Sequence, residues 1–177
     1  MKLIVFLGNI GKKYESTRHN AGFLFGEYLR KEWGFPEWED QPKFFGEISE
    51  GTHHDEKFIF LRPSTFMNLS GKSVSAVQKF YKIPLKNILL CHDDKDIPFG
   101  TVRYREKGSS GGQKGVEDVI RVFGTKEIQR MKIGIANEEI GKFTETADFV
   151  LSRFSESEIE KLPEIFEEAG KLLRINS

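Results

Sequence analysis

Residues 3–7 (LIVFL) form an unbroken apolar run that stops at Gly8, and ILLC at 88–91 forms a second one. Runs this short do not make a buried helix, but they suit strands covered on both faces. Strands with no polar face require helices above and below them, which confines the chain to layered α/β architectures. The remaining segments supply those helices. NAGFLFGEYLRKEWG sets Phe23, Leu24, Tyr28 and Leu29 near helical spacing and ends at Gly34. SGKSVSAVQKFYKI places Val74, Val77 and Tyr81 on one side, with Pro84 beyond its end. GGQKGVEDVIRVFG reads as a helix opened by glycines, and SESEIEKLPEIFEEAGKLLR opens with a capping box, Ser155 to Glu158. Pro163 is expected to kink or restart that last helix. FFGEISEG and KFIFLRP read as strands around a polar turn at GTHHDE, and TVRYRE and MKIGIA read as further strands. The expected fold is one α/β/α three-layer domain over residues 1–177, with a mixed, largely parallel sheet.

Composition narrows the partners. The formal net charge is zero, so a polyanion would have to be met by a local basic patch. Residues 101–142 carry a net +3 and residues 143–177 a net −4, which places any phosphate contacts in the middle-late region. The single cysteine, Cys91, excludes an intramolecular disulfide and lies in an apolar run, as a buried structural thiol would. KLIVFLG is too short for a signal core, and no segment approaches the ~20 apolar residues of a membrane span. A soluble, cytoplasmic, monomeric protein is expected.

In α/β sheets ligands bind beyond the carboxyl ends of the strands. Those ends carry Asn9, Tyr14 and His19, then Thr65, Phe66 and Asn68, then His92, Asp93, Asp94 and Asp96, then Gln113 and Lys114. Each has a structural explanation as well. His19 and Asn20 suit a helix start, with Asn20 as the cap. Asn9 and Asn68 suit turns, and Asp93 suits the turn expected at HDDKDIPFG, where three carboxylates crowd together and any of them can face a cleft. GSSGGQKG lacks the Walker spacing and no GxGxxG follows the first strand, so nucleotide binding is not supported. His53 and His54 are adjacent in a polar turn, and neither HExxH nor a cysteine pair occurs, so neither metal nor cofactor is expected.

Taken in order, GNIGKKYESTRHNAG, KFFGE, RPSTFMNLSGKSV, HDDKDIPFG and GSSGGQKGVEDVI resemble the bacterial-type peptidyl-tRNA hydrolases, over most of the chain from Lys2 to about Leu151. The resemblance implies hydrolysis of the ester between a peptide and the terminal ribose of tRNA, with peptidyl-tRNA as partner. It implies His19 as catalytic base, Asp93 as the carboxylate that orients it, and Asn9 as a third catalytic residue of the cleft. Tyr14, Phe66, Asn68 and Lys114 fall on substrate-binding positions, and Arg105 and Lys132 on those that grip tRNA phosphate. Three departures stand out. Gln113-Lys114 replaces the usual His-Asn, Ile10 replaces the usual proline after Gly-Asn, and GIANEEIGKF lacks the usual glycine, basic residue and proline. Lys114 should lower the pKa of His19 if it faces the cleft, and Ile10 should loosen the turn that presents Asn9. An alternative is a relative that has lost turnover and binds RNA or protein.

Overall fold

The structure is a computed structural model that describes residues 1–176, with side chains as far as residue 173. Seven strands join one sheet: β1 (Lys2–Phe6), β2 (Glu39–Gln41), β3 (Gly46–His53), β4 (Glu56–Pro63), β5 (Ile88–Pro98), β6 (Val102–Arg105) and β7 (Gln129–Ala136). Their order is β2-β3-β4-β1-β5-β7-β6. The four central strands run parallel, while β2, β3 and β6 join antiparallel at the edges. Five helices accompany them: α1 (Ala21–Glu32), α2 (Ser70–Tyr81), α3 (Lys114–Phe123), α4 (Thr146–Val150) and α5 (Glu156–Asn176). The mixed, mainly parallel α/β layering matches the expectation.

The apolar run in β1 follows from its two covered faces. Ile4 and Phe6 face one core with Phe25, Phe60, Phe149 and Phe166, whereas Leu3, Val5 and Leu7 face another with Val74, Val77, Val116 and Val119. The first core lies under α1 and α5, and the second under α2 and α3. Each such side chain contributes about 1.5–3 kcal/mol of burial, so a polar residue anywhere in this run would cost the fold heavily.

The structure corrects several local readings. HDDKDIPFG is not one turn, because β5 continues through Pro98 with a register shift between Asp94 and Pro98. Its partner permits this: a Cβ on Gly134 of β7 would lie 2.2 Å from the Pro98 carbonyl oxygen. Only the bend around Gly100 (φ 98°) turns the chain, closed by Thr101 N–H donating to the Pro98 carbonyl. The turn expected at GTHHDE is tighter than read, with His53 paired to Glu56 and only His54 and Asp55, both at positive φ, between the strands. Pro163 does not restart α5, which is continuous from Glu156. The carbonyl it leaves without an N–H belongs to Ile159, whose residue is 45% exposed, so water can serve it. Neither β2, a polar edge strand, nor the five-residue α4 shows a periodic pattern in the sequence. Among the described residues no helix is long and apolar enough to cross a membrane.

Candidate active site

The site begins with a close approach of backbone to backbone. A Cβ on Gly22, in the first turn of α1, would lie 2.4 Å from the Leu7 carbonyl oxygen and 2.6 Å from that of Cys91. Only glycine lets the helix rest on the ends of β1 and β5. The short 3-10 turn Arg18–Asn20 just before it is thereby held over the carboxyl end of the sheet. Arg18 N–H donates to the Ser152 carbonyl and Phe154 N–H to that of Ser16, which pins the turn to the chain after α4.

This placement brings His19 to Asp93. His19 Nδ1 lies 2.9 Å from Asp93 Oδ2, with His19 8% and Asp93 2% exposed. Burial pulls the imidazole pKa down, the charge and hydrogen bond of Asp93 push it up, and the charge of Lys114 pulls it down. The net position is above the ordinary histidine value. Lys114 therefore acts in the expected direction, but Asp93 outweighs it. Of the other carboxylates of the segment, Asp94 reaches the cavity wall but lies 3.8 Å from Lys132, and Asp96 is exposed.

Asn9 follows β1 and is fixed by Met67 and Asn20. Its Oδ1 accepts from Met67 N–H at 2.8 Å, so its Nδ2 is left for the cavity. Asn20 stands at the N-cap position of α1 as expected, but its side chain makes no capping bond. Its side chain instead accepts from Asn9 N–H at 2.8 Å and donates to the Asn9 carbonyl at 2.9 Å. These bonds hold Asn9 on both sides of its main chain, with Ile10 next to it exposed.

Asn9, His19, Phe66, Asn68, Asp93 and Lys114 line one cavity of about 260 Å³. Phe66, at 57% exposure, offers an apolar face beside it. Thr146, Ala147, Val150 and Leu151 of the α4 segment close another wall, and Lys95 and the glycine loop 110–112 a third. Tyr14 does not line the cavity; its ring lies under Lys13 Nζ. Arg105 and Lys132 lie outside it too. They sit diagonally across β6 and β7, where Arg103 is the residue directly opposite Lys132.

Two further groups buttress the site. Gln113 caps α3 through Val116 N–H and donates to Asp93 Oδ1 at 3.0 Å. Arg18, between the rings of Phe149 and Phe154, donates to Glu158 Oε1 at 2.9 Å. Glu158 also takes Asn137 Nδ2 and Ser155 N–H, completing the capping box of α5 with Ser155 Oγ. Burial raises the Glu158 pKa, but these donors together hold it below its ordinary value. The capping box was legible; that Arg18 would reach it from a distant part of the chain was not.

The chain matches the family model described as peptidyl-tRNA hydrolase over residues 3–176. It is 45% identical to a Brevibacillus brevis peptidyl-tRNA hydrolase over 89% of this chain and 82% of that one. It is 43% identical to a Bacillus cereus peptidyl-tRNA hydrolase over 96% of this chain and 89% of that one. A crystal structure of peptidyl-tRNA hydrolase from Acinetobacter baumannii superposes with a TM-score of 0.85 at 33% identity, covering 98% of this chain and 89% of that one. The fold and the sequence match therefore agree: the chain belongs to the peptidyl-tRNA hydrolase family.

Proposed function

We propose that the chain hydrolyses the ester joining the carboxyl end of a peptide to the terminal ribose of tRNA, using water activated by His19. The observation that carries this reading is the 2.9 Å contact of His19 Nδ1 with Asp93 in the wall of the cavity. Asp93 accepts a hydrogen bond from Nδ1–H, which keeps the proton there and leaves Nε2 as the basic nitrogen of neutral imidazole. Water gives its proton to Nε2 as its oxygen bonds to the ester carbon. The tetrahedral intermediate then expels the ribose oxygen, which takes the proton back from the imidazolium. Asn9 Nδ2, directed by the Met67 N–H bond, is the donor for the carbonyl oxygen as it gains charge. The only cysteine, Cys91, is fully buried in β5 with its thiol pKa pushed well up, so it is unsuited to covalent catalysis.

Phe66, Asn68 and Lys114 serve the peptide, in this reading, and Tyr14 a part of the substrate beyond the cavity. Arg105 and Lys132, together with Arg103 opposite Lys132, meet tRNA phosphates. The test is release of tRNA from a peptidyl-tRNA with a blocked amino group. Wild type should turn over, and His19→Ala should lose nearly all activity while still binding tRNA. Wild type that binds tRNA without turnover would leave the binding-module alternative, which Lys114 favours; a large gain in rate from Lys114→Asn would then identify the lysine as the defect.

A further inference from the structure

We infer that Gln113 is a positioning residue: a donor without charge that keeps the Asp93 carboxylate aimed at His19 at every working pH. The kinetic part of this inference rests on the hydrolase reading, whereas the geometry behind it does not. Asp93 has two oxygens and two side-chain donors. His19 takes Oδ2, and Gln113 Nε2 takes Oδ1 at 3.0 Å.

The orientation of the Gln113 amide is determined by its surroundings. Its Oε1 accepts Val116 N–H at 2.8 Å at the start of α3, and its Nε2 also lies 3.2 Å from the Met67 sulfur. Turned over, the amide would set oxygen against oxygen at Asp93 and N–H against N–H at Val116. The slot is narrow as well: a Cβ on Gly115 would come 2.6 Å from Met67 Sδ and 3.1 Å from Gln113 Oε1. Gln113 is 8% exposed, so its donor does not exchange freely for water.

The side chain has two separable duties, one through each end of its amide. The oxygen caps a helix and the nitrogen holds a carboxylate. The imidazole more usual at this position ionises, whereas an amide does not, so Gln113 adds no proton of its own to the site. The charges that face His19 are then few. Asp93 comes from β5 and Lys114 from α3. Arg18 on its own turn is paired with Glu158 of α5, and the α4 residues on the cavity are uncharged. Asp94 and Lys95 line the same cavity, and His92, behind Asp93, donates through Nδ1 to the Asp93 carbonyl.

Two substitutions separate the duties. Gln113→Met removes both cap and donor at similar size. Gln113→Glu keeps an acceptor for Val116 N–H but sets a second negative charge beside Asp93, where it favours the imidazolium form of His19. The readouts are the titration midpoint of the His19 ring by NMR, the acid limb of kcat against pH, and Tm. The methionine variant should lower the midpoint, because a freed carboxylate turns away from the ring. Its kcat should fall about tenfold at unchanged KM, as for loss of one hydrogen bond to a charged group. The glutamate variant should raise the midpoint and move the acid limb upward with little change in Tm.

If both midpoints stay at the wild-type value while Tm alone changes, Gln113 is only a helix cap and the inference is overturned. Shifts in the same direction for both variants overturn it too. Opposite shifts in a protein without turnover would uphold the positioning role and remove the hydrolase reading. Should the methionine variant not fold, the glutamate variant decides alone: an unmoved or lowered midpoint refutes the role.

Discussion

Gly22→Ala tests how the fold presents its histidine. The new methyl group would stand 2.4 Å from the Leu7 oxygen, 2.6 Å from the Cys91 oxygen and 2.9 Å from the Leu7 nitrogen. All three are backbone atoms, of Leu7 just past the end of β1 and of Cys91 in β5, so none can rotate away. Ordinary contact begins near 3.4 Å, and the first turn of α1 must therefore lift by about 1 Å. Alanine favours a helix over glycine by about 1 kcal/mol, but overpacking costs about 1–3 kcal/mol, so the balance is destabilising. At about 2–4 °C per kcal/mol for a chain of this size, Tm should fall by a few degrees. The larger effect is on rate, because His19 stands three residues ahead and moves with the turn. A displacement of about 1 Å at a reacting group costs on the order of a hundredfold. Thermal melts and single-turnover release of tRNA would read both quantities. Gly141→Ala, where a Cβ meets nothing within 4 Å, is the control. Wild-type rate and Tm in the Gly22 variant would refute the claim that this contact sets the histidine's place.

Other perturbations probe the buried polar groups. Asp93→Asn leaves one acceptor where His19 and Gln113 both donate, so the new amide must oppose Gln113 or give its own proton to His19 Nδ1. The second outcome puts the ring proton on Nε2, and kcat should fall on the order of 10⁴-fold; a loss under about tenfold would contradict the proposed tautomer. Glu158→Gln strands Arg18 among Phe149 and Phe154 and should cost about 3–5 kcal/mol. Because the folded pKa of Glu158 is depressed, its stabilisation is present above the unfolded carboxylate value and fades as pH falls below about 4. Melts across that range should show this loss in wild type and a flatter profile in the variant.

The parts of this molecule that could be read from sequence are those where local pattern and burial agree. The double-sided core of β1 shows as a run without polar residues, and α2 shows as spaced valines ended by Pro84. HDDKDIPFG misled because charge and proline argue for a turn, while the strand survives on a partner, Gly134, some forty residues away. His19 and Asp93 were identified through resemblance, since a histidine at a helix start has no signature of its own. Asn20 takes the cap position expected of it but not the expected bond. Its type suits a cap, and only the folded chain shows that its amide faces Asn9 instead. Lys114 lines the cavity, but its influence on His19 is secondary to a carboxylate whose second support, Gln113, carries no sequence signal beyond its place at a strand end and its departure from the usual histidine.

The pairing of Asn20 with Asn9 has a wider bearing. One side-chain amide meets both main-chain groups of Asn9, as a neighbouring strand would. The sheet in effect gains an extra rung, supplied by a side chain, just where its strands run out. The far end of that rung is the residue next to His19, so Asn9 and His19, the oxyanion donor and base of the proposed mechanism, ride on a shared splint. Their spacing should survive motions of the surrounding loops that would separate two independently mounted groups.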